Sequence, residues 1–173
     1  DAAARLLEAG DVDGATEHCN SLRQTAKEAL AEMRLLIFEL RPAELERVGL
    51  IGALQARIDA VEARAGLSAE LEADPDLRLA LAVEEALYRI AQEALNNVLK
   101  HARASRVLVR IFESETRLVM EIVDDGIGFD PEATGGGGIG LHSMSERAEQ
   151  VGGLVRIESR SGTGTRVQVE VPL

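Results

Sequence analysis

The stretch EALNNVLKHA, residues 93–102, decides how the larger part of this chain is interpreted. Its polar residues, at intervals of four, seven and eight from the first, share one side of an α-helix and are Glu93, Asn97, Lys100 and His101. The same side is apolar in the preceding turns, at Val83, Ala86 and Ile90. A stripe that begins as core and becomes polar belongs to a helix that emerges either into solvent or into a binding site.

The composition describes a globular protein of 173 residues, of which 46% are hydrophobic and 28% are charged. The net charge of −11 argues against a nucleic-acid surface and against contact with an anionic membrane, because both need clustered Lys and Arg. No apolar run approaches the roughly 20 residues of a membrane-spanning helix. A single cysteine, Cys19, forms no internal disulfide, so we expect a reducing, cytoplasmic setting.

The N-terminal part carries a heptad pattern that is typical of a helix packed along another helix. Apolar or small residues recur at intervals of three and four at Val12, Ala15, Cys19, Leu22, Ala26, Ala29, Met33, Leu36 and Leu40. Gly10 and Asp11 predict a tight turn from a preceding helix. We therefore expect residues 1–41 to be a helical hairpin of a dimerisation bundle, which forms a homodimer with a second copy.

Pro42 and Gly49 predict a link over residues 42–49, and a different pattern follows in residues 50–173. There we expect helices at LIGALQARIDAVEARAG, ALAVEEALYRIAQEALNNVLKHA and GIGLHSMSERAEQVGG, and strands at LSAELEA, RVLVRIFES and RLVMEIVDD. The final stretch, LVRIESRSGTGTRVQVEVPL, predicts a hairpin. The predicted fold class is therefore α/β, a two-layer sandwich with helices on one face of a mixed or mostly antiparallel sheet.

Two glycine clusters adjoin the ends of predicted elements. VDDGIGFD places Asp124, Gly126 and Gly128 after an apolar strand, and TGGGGIGLHSM places Gly138 and Gly140 at a helix N-terminus. Glycines before a helix leave backbone N–H groups unpaired beside a partial positive charge, which suits a phosphate. Either cluster alone is weak, because most glycine-rich turns are only turns.

The order of the motifs is more specific than any one of them. Glu-x-x-x-Asn on a helix is followed by Asp-x-Gly-x-Gly after a strand, Gly-x-Gly-Leu at the start of a helix and GTGT in a terminal hairpin. This order resembles the four nucleotide-binding boxes of the GHKL ATPase superfamily, whose fold is of the Bergerat type. The segments LYRIAQEALNNVLKHARAS, GIGLHSMSERAEQVGG and LRPAELERVGL resemble sensor histidine kinases of the subfamily paired with helix-turn-helix response regulators.

The resemblance implies a binding site for ATP and Mg²⁺. It implies that Asn97 is the metal ligand, since an amide oxygen is an adequate hard ligand when phosphates supply the remaining coordination and charge. Lys100 and His101 would lie near the phosphates, and Glu93 would be the polarising carboxylate of the superfamily. His101 is equally explained as a helix-end residue that the helix dipole favours, and both interpretations stay open.

The resemblance also implies which residues hold the base and the phosphates. Asp124, selected over Asp125 by the Asp-x-Gly-x-Gly spacing, would accept a hydrogen bond from the adenine amino group and so distinguish ATP from GTP. Gly126 and Gly128 would let the backbone approach the base. The remaining implied nucleotide contacts are Gly138, Gly140, Leu141 and Thr165, with FDPEATGGGG as a mobile lid.

A histidine kinase of this kind needs an acceptor histidine followed by an acidic residue. The three histidines, His18, His101 and His142, lack that neighbour, and we interpret His142 as a surface residue. We therefore expect the chain to bind Mg-ATP without labelling itself. The resemblance implies that the γ-phosphate passes to a histidine outside this chain, for relay to an aspartate in a response-regulator receiver domain.

Two other functions are weighed against this one. An anti-sigma-factor-type serine kinase shares the nucleotide boxes, but the heptad helix disfavours it because such kinases consist of the ATP domain alone. A non-catalytic dimerisation or interaction module would have a decayed ATP site, and the intact Glu93, Asn97 and Asp124 argue against decay.

Overall fold

The computed structural model describes five stretches of the chain, residues 10–16, 18–21, 23, 43–130 and 139–173. The chain divides between residues 42 and 43, and the two parts are described separately. In the first part, Gly10 has a φ of 79° and the Asp11 carboxylate accepts a hydrogen bond of 2.9 Å from the Gly14 N–H, so a helix begins there. The greater part of the predicted helical hairpin lies outside the described residues.

The first helix of the α/β part, α1 (Ala43–Ala65), begins earlier than the sequence predicts. The sequence predicts a link over residues 42–49, yet residues 43–48 are helical, and the Leu45 side chain is buried in the same core as that of Leu50. Gly49 lies between them with a non-helical φ of 69°, a conformation that glycine adopts without strain. The expected break at this glycine is therefore a kink, and the domain boundaries themselves stay a prediction.

The second helix, α2 (Leu81–Asn97), carries the apolar stripe. Its buried residues are Ala86, Leu87, Tyr88, Ile90, Ala91, Ala94 and Leu95. A wider π turn (Val98–Ala102) continues the helix, and Arg103 ends it with a φ of 51°. In a π turn the backbone bonds to the fifth residue instead of the fourth, so one extra residue is accommodated without breaking the helix.

Within the described ranges, five strands form one mixed sheet in the order β1-β2-β3-β5-β4. The strands are β1 (Ser68–Ala73), β2 (Arg106–Ser114), β3 (Arg117–Asp124), β4 (Leu154–Ser159) and β5 (Thr165–Pro172). β1 pairs with β2 in parallel, and the other three pairs are antiparallel. The parallel pair is possible because α2 provides the crossover between its two strands. The predicted mixed sheet is confirmed.

The hydrophobic core lies between the sheet and the helices, which include α3 (Ile139–Glu149). The buried residues of β2 are Val107, Val109 and Ile111. The alternate residues of β2 lie on the other face, where Arg106 pairs with Glu70 at 2.9 Å and Arg110 with Glu72 at 2.8 Å. The predicted two-layer α/β sandwich is confirmed. None of the helices in the described stretches is long and apolar enough to cross a membrane.

Candidate functional site

A cavity of about 500 Å³ opens between α2, the start of α3 and the adjoining ends of β3 and β5. The sequence-predicted residues that line it are Glu93, Asn97, Lys100, His101, Asp124, Gly128, Gly140, Leu141 and Thr165. Its other lining residues are Ala94, Val98, Ala102, Ile122, Phe129 and Val167. The structure therefore brings residues of all four sequence motifs to one space. Gly138, also predicted, lies outside the described residues.

One wall of the cavity is the polar side of α2 and of the π turn. Glu93 and Asn97 are half-buried and four residues apart, so they face the same space, whereas Lys100 and His101 are exposed at its rim. The apolar stripe of α2 thus ends in a concave surface and not in open solvent. An amide, a carboxylate and a lysine ammonium together suit a ligand that carries phosphate and a hard cation.

The start of α3 lies close to this wall. A Cβ added to Gly140 would overlap Oε1 of Glu93, so any larger residue would displace that carboxylate. Leu141, the next residue, is half-buried and lines the cavity. Because the N-terminus of a helix carries unpaired N–H groups and partial positive charge, this end of the cavity favours an anion.

Asp124, at the end of β3, forms the floor of the cavity. The residue is only 7% exposed, and the Gly126 N–H donates a hydrogen bond of 2.8 Å to its Oδ1. Burial raises the pKa of the Asp124 carboxyl above its ordinary value, and this effect outweighs the hydrogen bonds from the backbone N–H groups of Gly126 and Thr165. A buried carboxylate with such limited compensation is a strong acceptor for a ligand N–H group.

Asp125 has a different task from its neighbour. It is exposed, and its carboxylate accepts hydrogen bonds from the Ser105 hydroxyl and from the backbone N–H groups of Ser105 and Arg106, both at 2.8 Å. The Ser105 hydroxyl, followed by the Arg106 N–H, holds the pKa of Asp125 below its ordinary value. Asp125 therefore braces the start of β2, and Asp124 is the aspartate that lines the cavity.

The glycine loop after β3 is held on both sides by backbone hydrogen bonds. The Ile127 N–H donates to the Ala102 carbonyl at 2.7 Å, and the Gly162 N–H donates to the Ile127 carbonyl at 2.6 Å. A Cβ on Gly126 would overlap the backbone oxygen of Ala102, so this close approach of loop and π turn depends on glycine. The loop thus connects the floor of the cavity to the α2 wall.

Gly128→Ala is expected to lower the free energy of unfolding by about 3 kcal/mol, since backbone strain adds to overpacking. Gly128 has a φ of 59°, and an added Cβ would overlap the Arg160 carbonyl oxygen and lie 2.8 Å from that of Gly164. Gly162→Ala is the matched control, because Gly162 has a φ of 85° but nothing within 4 Å, which leaves a strain of about 1 kcal/mol. Urea unfolding measures both, and equal losses would contradict the tight packing of Gly128.

Two further residues take part in this arrangement: Phe129, which the sequence places only in the predicted lid, and Ser159, which the sequence does not single out. Phe129 lines the cavity, and its backbone N–H donates to the Ser159 hydroxyl at 2.9 Å. An aromatic residue directly after the glycine motif was the available signal for Phe129, whereas the sequence around Ser159 carries none. His142 is 74% exposed and pairs with Glu146 at 3.2 Å, which confirms its prediction as a surface residue.

Known proteins are similar in sequence to this chain over most of its length. Residues 82–173 match the family model described as histidine kinase-, DNA gyrase B- and HSP90-like ATPase. The chain is 35% identical over 161 residues to the sensor histidine kinase LiaS of Bacillus subtilis (strain 168), covering 93% of this chain and 44% of the relative. It is 34% identical over 170 residues to the signal transduction histidine-protein kinase/phosphatase DegS of Brevibacillus brevis, covering 98% and 44%. The chain spans less than half the length of these relatives.

Solved structures share the fold. The histidine kinase domain of the blue-light activated histidine kinase from Erythrobacter litoralis EL346 gives a TM-score of 0.64 at 23% identity, covering 75% of this chain and 68% of that chain. The mycobacterial sensor histidine kinase MprB gives a TM-score of 0.55 at 20% identity, covering 69% and 91%. At these identities the likeness concerns the α/β fold alone.

Proposed function

Because the chain belongs to the family of histidine kinase-, DNA gyrase B- and HSP90-like ATPases, we propose that it is the Mg-ATP-binding catalytic portion of a sensor histidine kinase. Membership of this family implies that the domain binds ATP. The observation that carries the proposal is the cavity in which Glu93 and Asn97 on α2 face the space above Asp124. The Asp124 carboxylate at the floor suits a nucleobase, and the polar side chains of the α2 wall suit a phosphate chain with its metal ion.

The floor of the cavity would recognise the base. The Asp124 carboxylate only accepts hydrogen bonds when ionised, and adenine offers an amino group where guanine carries a carbonyl. Guanine would therefore place an acceptor against an acceptor. Ile122 and Val167, also in the lining, supply apolar surface for a flat ring.

The α2 wall would hold the phosphates and the metal. Within the described stretches no three His, Cys, Asp or Glu residues are grouped as a metal site. Mg²⁺ usually keeps several waters and takes phosphate oxygens together with one or two protein oxygens. Asn97 would supply its amide oxygen, and the bound metal would neutralise charge on the phosphates. Lys100 would add a positive charge at the rim.

The proposed reaction moves the γ-phosphoryl group of ATP to a ring nitrogen of a histidine. The ring nitrogen that carries no proton bonds to the γ-phosphorus, the bond from that phosphorus to the β,γ-bridging oxygen breaks and ADP leaves, and the other ring nitrogen loses its proton. Glu93, half-buried beside Asn97, is the carboxylate that would orient the imidazole and accept that proton. Catalysis would rest on positioning and charge neutralisation.

The relay follows from the same proposal. The phosphorylated histidine would donate its phosphoryl group to an aspartate in the receiver domain of a response regulator. The helical hairpin would form a homodimer with a second copy of the chain.

Calorimetric titration with Mg-ATP and Mg-GTP tests the nucleotide site. We expect saturable binding of Mg-ATP and binding of Mg-GTP that is weaker by at least about 100-fold, because a buried acceptor rejects a carbonyl. Absence of Mg-ATP binding would contradict the proposal.

Incubation with γ-labelled ATP tests the transfer. We expect no label on the chain alone and acid-labile label on an added helical bundle that carries an acceptor histidine. Acid-stable label on a serine-containing partner and none on the bundle would favour the serine kinase alternative.

A further inference from the structure

Ser159, the last residue of β4, has a hydroxyl group with three hydrogen-bonding neighbours. Its Oγ lies 2.9 Å from the Phe129 backbone nitrogen, 3.0 Å from the Gly164 carbonyl oxygen and 3.0 Å from the Thr165 hydroxyl oxygen. Ser159 itself is half-buried and does not line the nucleotide cavity, whereas Phe129 and Thr165 do.

The direction of each hydrogen bond follows from the number of available protons. A serine hydroxyl has one proton and two lone pairs. The Phe129 N–H can only donate, and the Gly164 carbonyl can only accept, so the Ser159 proton goes to Gly164 and the amide fills one lone pair. The remaining contact, between Ser159 and Thr165, must then use the hydroxyl proton of Thr165.

These hydrogen-bond directions determine whether the Thr165 hydroxyl can donate or accept a hydrogen bond in the cavity. With its proton directed to Ser159, the Thr165 oxygen retains only lone pairs and acts as an acceptor. Thr165 is the direct partner of Asp124 in the register of β3 and β5, so the two residues are neighbours in the cavity floor. The Asp124 carboxylate is also an acceptor, which places two acceptors side by side.

We propose that Ser159 is a positioning residue for base selection, because it holds the Thr165 hydroxyl as a second acceptor beside Asp124. The inference rests on the proposed function and deepens it. An exocyclic amino group that faces this floor can donate to it, whereas a carbonyl group in the same place faces acceptors only. Without Ser159, the freed Thr165 proton can turn toward the cavity and donate to such a carbonyl.

If Ser159 only anchored the structure, its loss would affect the nucleotides in a different way. The serine also anchors Phe129, so its loss loosens the segment after the glycine loop. A looser segment weakens the binding of every nucleotide by a similar factor, because this effect does not depend on the group at position 6 of the purine ring. The ratio of two affinities therefore separates selection from anchoring.

The experiment compares ATP, inosine triphosphate and purine riboside triphosphate, which carry an amino group, a carbonyl and hydrogen at position 6. Dissociation constants are measured by calorimetry with Mg²⁺ for the native chain and for Ser159→Ala, Ser159→Thr, Thr165→Val and the double variant Ser159→Ala/Thr165→Val. Thermal unfolding of each variant establishes that it is folded.

We expect Ser159→Ala to reduce the preference for ATP over inosine triphosphate by roughly tenfold, the value of one hydrogen bond, while Ser159→Thr keeps the native preference. In the Thr165→Val background, Ser159→Ala should leave the ratio unchanged. The binding of purine riboside triphosphate to Ser159→Ala should weaken only by the factor that is common to all three nucleotides. A parallel loss for all three nucleotides in Ser159→Ala would overturn this inference alone, whereas no ATP binding by the native chain would overturn the proposed function with it.

Discussion

Asp124→Asn is expected to weaken Mg-ATP binding by at least about 100-fold, yet to leave the fold as stable as before or more stable. The lost affinity has two causes. The charged acceptor disappears, and the new amide group can place an N–H against the amino group of adenine. Calorimetry measures the affinity, and urea unfolding at neutral pH measures the stability.

The stability expected for Asp124→Asn follows from the raised pKa of Asp124. A carboxyl whose pKa is higher in the folded state stabilises the fold below its ordinary pKa, and this contribution is lost as the pH rises through the folded value. At neutral pH the ionised side chain therefore costs stability. Asparagine removes that cost, and its amide oxygen still accepts the hydrogen bond from the Gly126 N–H.

Asp125→Asn is the matched control, with the opposite sign. The pKa of Asp125 is lowered in the folded state, so its charge stabilises the fold above its ordinary pKa, and this contribution is lost as the pH falls through the folded value. At neutral pH the variant should lose stability and keep the ATP affinity. An Asp124→Asn variant with native affinity, or an Asp125→Asn variant without it, would refute the assignment of Asp124 to the base.

Asn97→Ala is expected to reduce phosphotransfer to an added acceptor bundle by about 1000-fold, because the metal contributes several kcal/mol to the reaction. The native chain should bind ATP more weakly when EDTA removes Mg²⁺. The variant should bind ATP equally with Mg²⁺ and with EDTA, since its metal ligand is gone. A variant that keeps the native dependence on Mg²⁺ would contradict the role of Asn97.

Asn96→Ala is the control for this second change. The Asn96 side-chain oxygen accepts a hydrogen bond from the Arg57 guanidinium of α1, and Asn96 does not line the cavity. Its replacement should cost about 1–2 kcal/mol of stability and leave the effect of Mg²⁺ intact. Comparison of the two variants therefore distinguishes the loss of a contact between α1 and α2 from the loss of the metal ligand.

The sequence predicts the helices and strands of this fold well because their apolar residues recur with clear helical or strand periodicity. Apolar residues at helical spacing identify α2, and alternation along β2 identifies a strand that is buried on one face. The order of the glycine motifs predicts which residues meet in the cavity. Asp124 is selected over Asp125 by spacing alone, and the structure places Asp124 in the lining.

Other features depend on distant contacts and left no local signal. The π turn at Val98–Ala102 accompanies the docking of the glycine loop on the Ala102 carbonyl, which joins segments 25 residues apart in sequence. The parallel pairing of β1 with β2 depends on the crossover and not on either strand. Pro42 and Gly49 predict a link over residues 42–49, and no local signal shows that Leu45 is a core residue, as its burial makes it.

The hydrogen bond from the Ile127 N–H to the Ala102 carbonyl has a kinetic consequence. Ile127 is 50% exposed, and its amide proton is held in this hydrogen bond to the Ala102 carbonyl. That proton exchanges for deuterium when the glycine loop separates from the π turn. The same motion separates the floor of the cavity from its α2 wall. The exchange rate of one backbone amide therefore reports how often the cavity comes apart, and a ligand that spans floor and wall slows it.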